Sequence, residues 1–319
     1  MNCCYFARAV LLLAGIFAPA AFAQTGAIIF GSDGSNDNQA TLSAAQATTF
    51  TMRPSVFTTT LSPYGTEPQY VQSNIRCVLL SSGAIVPNCT ITFRWNGRYG
   101  TGGHNHNTNR PPGIIKTQNG ATGGSTGPGS PGVVTDNSGP TGILGYSYTS
   151  PEASGITDLT GTGVAIVNGV PVSFGPGRLT FGIQFDGLSL ASVAGLEIAT
   201  ASNMHGNNNG YATQATIAAL GRMAQKFADE LTRQGRPVPL VRVTALSLPQ
   251  GGLFDFRDEW RTPHKTHRFG DFADIGIWEL TLPQQKTLAK ALVKAKFTTP
   301  YRVESPLNPT APHWHLRLP

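Results

Sequence analysis

Four of the seven histidines, His264, His267, His313 and His315, lie beyond residue 260 of a 319-residue chain. Two fall in PHKTHRFGDFAD and two in PHWH. In a strand, His313 and His315 project to one face because side chains repeat every two residues, and Trp314 then faces the other way, into the core. One histidine of that pair, joined by His267 and Asp274, makes two imidazoles and one carboxylate with a fourth position open. That is the donor pattern of catalytic rather than structural zinc. Imidazole nitrogen suits a borderline-soft cation better than calcium, which takes all-oxygen shells. A second His-x-His, His104 and His106 in GGHNHNTNRPPG, has no carboxylate close by. It reads either as a polar loop, as a separate metal site, or as a loop reaching the cleft.

These residues carry a family resemblance. His267 and Asp274, with six residues between them and Gly270 among these, then a His-x-His near the end, resemble the lysostaphin, D-Ala-D-Ala metallopeptidase and hedgehog group (LAS-type zinc metallopeptidases). The stretch SLPQGGLFDFRDEWRTPHKTHRFGDFADI, residues 247–275, is similar to the penicillin-insensitive murein endopeptidase branch. His264 and His267 match that branch's His-x-x-His. The likeness spans residues 205–319. It implies Zn2+ on His267, Asp274 and His315, with His313 as the histidine that activates water or stabilises the oxyanion. His264 would be a further catalytic-site residue, behind the ligands or against the substrate. Arg268 and Trp260 are the substrate-contact candidates; Arg261 could, like Arg268, pair with a substrate carboxylate or sit solvated on the surface, and Asp255 with Trp260 would shape the site. The dipeptidase and carboxypeptidase branches place a Glu three residues before the histidine pair, as base. Thr310 stands there in this chain, which favours the endopeptidase-like branch and puts His313 in the base role.

The elements that must position these groups change character near residue 200. From Gln24 to Thr200 the chain is rich in Gly, Thr, Ser, Pro and Asn. Runs such as SVFTTTL, NIRCVLL, CTITFRW, ILGYSYT, GVAIVNGVPVSF and RLTFGIQF recur between turn signals, several alternating apolar and polar residues. Short strands between Gly/Pro/Asn turns predict an all-β immunoglobulin-like sandwich over residues 24–200, with Gly120–Gly132 as a flexible loop. Beyond it, Ile217, Leu220, Met223, Ala224, Phe227 and Leu231 mark a helix from Gln214 to Gln234, with Thr213 as N-cap and Gly235 as stop. Strands follow over 238–248 and 273–280, then a helix opened by Pro283 and the strand-like HWHLRL. Helices and strands without a βαβ rhythm predict an α+β zinc peptidase domain over 201–319.

Bulk properties set the compartment. Arg8, the apolar run AVLLLAGIF and Ala21-Phe22-Ala23 form a secretory signal peptide over residues 1–23, its run too short to span a bilayer. The mature chain is therefore expected to be exported, periplasmic or extracellular, without a transmembrane helix. Cys77 and Cys89 remain, and a disulfide stapling CVLLSSGAIVPNC is the expectation in an oxidising space. Cleavage lowers the formal charge from +6 to +5. Such a charge suits an anionic matrix. No basic cluster interleaved with aromatics points to nucleic acid. The leading expectation is a zinc peptidase acting on peptidoglycan cross-links. The alternatives are a surface- or matrix-binding protein that keeps metal without catalysis, and a hydrolase of a non-peptide amide.

Overall fold

The computed structural model describes residues 26–31, 48–55, 69–102, 108–125, 129–198, 209–253, 267–298, 301–303 and 312–318. The expected signal peptide lies outside them. So do most of the expected strand over 55–61, His104 and His106, Asp255, Trp260, Arg261, His264 and Thr310.

Period-two alternation in the Gly/Thr-rich part forms ten strands. They are β1 (Gly26–Gly31), β2 (Thr48–Met52), β3 (Tyr70–Leu79), β4 (Thr90–Gly97), β5 (Gly113–Thr117), β6 (Thr122–Ser125), β7 (Gly132–Asn137), β8 (Ile143–Thr149), β9 (Gly155–Val167) and β10 (Val170–Ile183). All belong to one sheet, in the order β6-β5-β8-β3-β1-β10-β9-β4-β7, with β2 added against β10. The immunoglobulin-like sandwich is therefore not formed. A sandwich needs two sheets facing each other, whereas here a single sheet curls until its ends nearly meet. Its inward residues share one core that includes Ile28, Ile75, Phe93, Leu144, Tyr148, Leu159 and Phe181. Tyr148 stacks on Phe181 with centroids 4.1 Å apart.

The near-closure is built around Trp95. Its indole Nε1 donates to the Gly113 carbonyl of β5 at 3.1 Å. A Cβ at Gly124 of β6 or at Gly132 of β7 would lie 2.4 Å or less from the same ring. Those glycines are what lets both end strands approach the indole. This also explains why the Gly-rich tract holds a strand instead of the loop expected over 120–132. From the β5–β6 turn, Asn119 Nδ2 donates to the Asn137 carbonyl of β7 at 2.9 Å. Thr117 Oγ1 at the end of β5 donates to Asp136 of β7 at 2.5 Å.

The expected disulfide is present. Cys77 and Cys89 are bridged with Cα atoms 6.4 Å apart, and both are fully buried against Gly163 of β9.

After the barrel come β11 (Leu188–Leu190), β12 (Leu196–Ile198), β13 (Tyr211–Thr213), α1 (Gln214–Arg233), β14 (Val241–Ala245), β15 (Phe272–Gly276), α2 (Leu282–Lys294), β16 (Tyr301–Val303) and β17 (His313–Arg317). Helix α1 starts where the sequence places it, with Thr216 N donating to Thr213 Oγ1 at 3.2 Å. It stops before Gly235, whose φ of 64° is left-handed. Its buried stripe, Leu220, Met223, Phe227 and Leu231, packs with Leu288 and Leu292 of α2 on Val241, Val243, Ala273, Ile275 and Leu316.

These elements correct the expected α+β peptidase domain as well. The five-stranded sheet β12-β14-β15-β17-β16 takes an edge strand from Leu196–Ile198, ahead of residue 201. Two helices occur among the described residues, which are mostly β. Segments of this part are also bonded directly to the barrel, through the Ala153–Gly252 bridge and the Phe185 amide on the Gln250 carbonyl. Among the described residues no helix is long and apolar enough to cross a membrane.

Two outcomes follow from this architecture. Trp95→Ala should cost about 3–5 kcal/mol in urea unfolding, the usual loss for a buried tryptophan. Trp95→Phe should recover part of that. Reduction of the Cys77–Cys89 bridge, whose partners are 12 residues apart, should cost about 3 kcal/mol by loop-closure entropy. A variant with serine at both positions tests this by the same assay.

Candidate metal centre

Strands β15 and β17 are antiparallel, with Asp274 directly opposite His315 and Gly276 opposite His313. Directly opposed residues share a face, so Asp274, His313 and His315 all turn away from the helices. Trp314 and Leu316 turn towards them, as the alternation predicts, and pack with the α1/α2 core. The third element is the segment entering β15. His267 sits there with φ of 67°, a left-handed conformation that a non-glycine residue adopts at a cost. It is held by its neighbours. The Gly270 carbonyl accepts from Thr216 Oγ1 at 2.8 Å and from the Thr213 amide at 3.1 Å, which ties the segment to the start of α1.

The result is a buried convergence of three donors. His315 Nδ1 lies 2.6 Å from Asp274 Oδ1, and His267 Nε2 lies 3.3 Å from the same oxygen. The ligand atoms of all three residues fall within 4.8 Å of one another. His267 is fully buried and Asp274 and His315 are 4 % exposed. Burial alone would raise the Asp274 carboxyl. The charge and hydrogen bonding of His267 and His315 outweigh that and hold it well below the usual carboxylate range. Phe272 closes one side, its ring 5.1 Å from His315. Arg317 lies over the Phe272 ring, its guanidinium carbon 5.3 Å from the centroid, and donates from Nε to Asp271 at 3.1 Å.

These residues can hold a metal ion. Tetrahedral zinc with bonds of about 2.0–2.1 Å separates its ligand atoms by roughly 3.3 Å. The His267–Asp274 spacing already matches. The His315–Asp274 spacing is that of a hydrogen bond and would have to open by a fraction of an ångström to take the ion. Two nitrogens and one oxygen, all buried, favour a transition metal over calcium or magnesium.

His313 is near but differently placed. Its Nε2 lies 3.4 Å from the second Asp274 oxygen, and its side chain is 14 % exposed, more than any member of the triad. Among the described histidines it is the most exposed. Arg268, expected to meet substrate, is 1 % exposed and donates from Nη1 to Glu152 Oε1 at 2.7 Å. Glu152 was not visible to sequence reasoning, since 116 residues separate it from Arg268. Arg317 could have been found, because it continues the His313/His315 face by one more step of two. A polar concavity of about 470 Å³ on the barrel wall, lined by Gln72, Lys116, Gln118 and Ser147 among others, includes none of these groups.

Compared with known proteins, the chain matches no family model and no curated protein. The site therefore rests on its own geometry. Purified wild type should carry about one equivalent of zinc after dialysis, and His267→Ala and His315→Ala should each lose it, while His313→Ala retains it. Retained stoichiometric zinc in the first two variants overturns the ligand assignment.

Proposed function

We propose that the protein is an exported zinc-dependent peptidase, related to the LAS-type metallopeptidases, that hydrolyses peptide bonds in peptidoglycan cross-links. The observation that carries this reading is the buried meeting of His267 Nε2, Asp274 Oδ1 and His315 Nδ1 beside a partly exposed His313. Three donors of that kind leave a coordination position open for water or substrate, the arrangement of catalytic zinc. A bound zinc ion there supplies a water acidified towards about pH 7 and a Lewis acid for the scissile carbonyl.

The remaining chemistry belongs to the chain. Asp274 stays ionised and so supplies a full negative charge to the metal. His313, with Nε2 facing the second Asp274 oxygen, is oriented by that carboxylate. That leaves Nδ1 to accept a proton from the attacking water and return it to the leaving amine. Phe272, packed beside His315, keeps bulk water from that side of the site. The Cys77–Cys89 disulfide fits an oxidising compartment. The net positive charge fits an anionic cell-wall polymer. A second reading, metal binding at a cell surface without turnover, draws on Thr310, which stands where related peptidases keep a carboxylate base.

Incubation with purified cell-wall sacculi separates the two. Turnover predicts soluble muropeptides that carry a new amine, abolished by a chelator and restored by zinc. His313→Ala should bind zinc normally yet lower kcat by about 100-fold or more, the scale of a lost acid/base group. Binding to sacculi with no chelator-sensitive product would leave the adhesive reading in place.

A further inference from the structure

The barrel is not a passive neighbour of the histidine site. Its β8–β9 connection, residues 150–154, reaches Arg268, the neighbour of His267, and residues 251–253, which are themselves bonded to Arg268. The Arg268 guanidinium meets the Glu152 carboxylate at 2.7 Å, with the arginine 1 % exposed. The Leu253 amide donates to the Glu152 carbonyl at 2.9 Å, and Ala153 bridges Gly252. Ser154 Oγ, fully buried, donates to the Gly251 carbonyl at 2.5 Å. The Gly252 amide closes the circuit by donating to the Arg268 carbonyl at 2.9 Å. The backbones are so close here that a Cβ at Gly251 would lie 2.5 Å from that carbonyl oxygen. Beneath this, buried Arg110 fixes the turn itself, donating from Nη1 to the Ala153 carbonyl at 2.9 Å and from Nη2 to Thr157 Oγ1. On the flank, Phe185 from the end of β10 meets Phe269 edge-on at 4.9 Å.

His267 sits one residue before Arg268, in a backbone conformation that its side chain does not favour. Something outside the segment must hold it. We propose that the Glu152–Arg268 pair, backed by Arg110 and Ser154, is a clamp by which the barrel positions His267 for metal binding. Arg268 is then a positioning residue in place of a substrate contact, and Glu152 its partner from the barrel. Groups behind a ligand commonly set metal affinity by ten- to a hundred-fold without touching the ion. A fully buried guanidinium paired with a carboxylate suits that task, because its geometry is fixed and it is not screened by solvent.

This inference rests on the metal-site reading, and the test keeps the two apart. Zinc affinity of the full-length protein would be measured by competition with a chromophoric chelator for wild type, Glu152→Gln, Arg268→Met, the double variant and Ser154→Ala. Amide hydrogen exchange over residues 267–271 and the thermal transition of the metal-free protein would be read alongside. The clamp predicts zinc binding about 10–100-fold weaker in either single variant of the pair. The double variant should be no worse than the singles, since both remove one interaction. Exchange over 267–271 should rise while the far-UV spectrum is kept. Ser154→Ala, the mildest change, should weaken zinc binding in the same direction by a smaller factor. Zinc affinity within two-fold of wild type in the folded pair variants overturns the clamp and leaves the metal site standing. So do effects that add in the double variant. If the pair variants lose their thermal transition, an unchanged affinity in Ser154→Ala likewise overturns it. Absence of zinc binding in wild type overturns both readings.

Discussion

An ionised carboxylate buried between two imidazoles is the interaction on which the C-terminal half of this molecule turns. Asp274 is almost without solvent contact, and moving such a charge out of water costs on the order of several kcal/mol. Only close, directional partners offset a cost of that size. His315 and His267 are those partners, one from the opposed strand and one from the incoming segment. The neighbouring structure follows from the need to bring them there. An all-buried β15 must be paired on both sides, the left-handed backbone at His267 must be braced, and Phe272 must shield the imidazoles.

Much of the fold near the site was legible because its signals are local. The apolar stripe from Ile217 to Leu231, the Thr213 cap and the Gly235 stop mark α1 within a residue of its observed end. The His-x-His repeat identifies a strand with two faces, and β17 has them. The Cys77–Cys89 pairing could be read because its partners are close in sequence and flank a turn signal.

What could not be read was set by contacts distant in sequence. Individual strands of the barrel were visible, but alternation of side chains is the same in a sandwich and in a curled single sheet. The difference lies in how β6 and β7 find each other, and that depends on Gly124 and Gly132 admitting one indole from β4. In the sequence those glycines look like loop filler. Glu152 is hidden for a similar reason. Nothing near it in the chain announces that its partner lies 116 residues away beside a metal-ligand candidate. The left-handed φ of His267 is equally silent, since histidine carries no conformational marker as glycine does.

The direct opposition of Asp274 and His315 on β15 and β17 acts as a proofreading device. A slip of the last strand by one residue would turn both imidazoles into the apolar layer under the helices and push Trp314 and Leu316 out against the carboxylate. Both faces would then be wrong together, with buried polar groups on one side and an uncompensated charge on the other. Assembly of the donor set and correct packing of the helices are thus a single decision. A molecule that has acquired one has acquired the other.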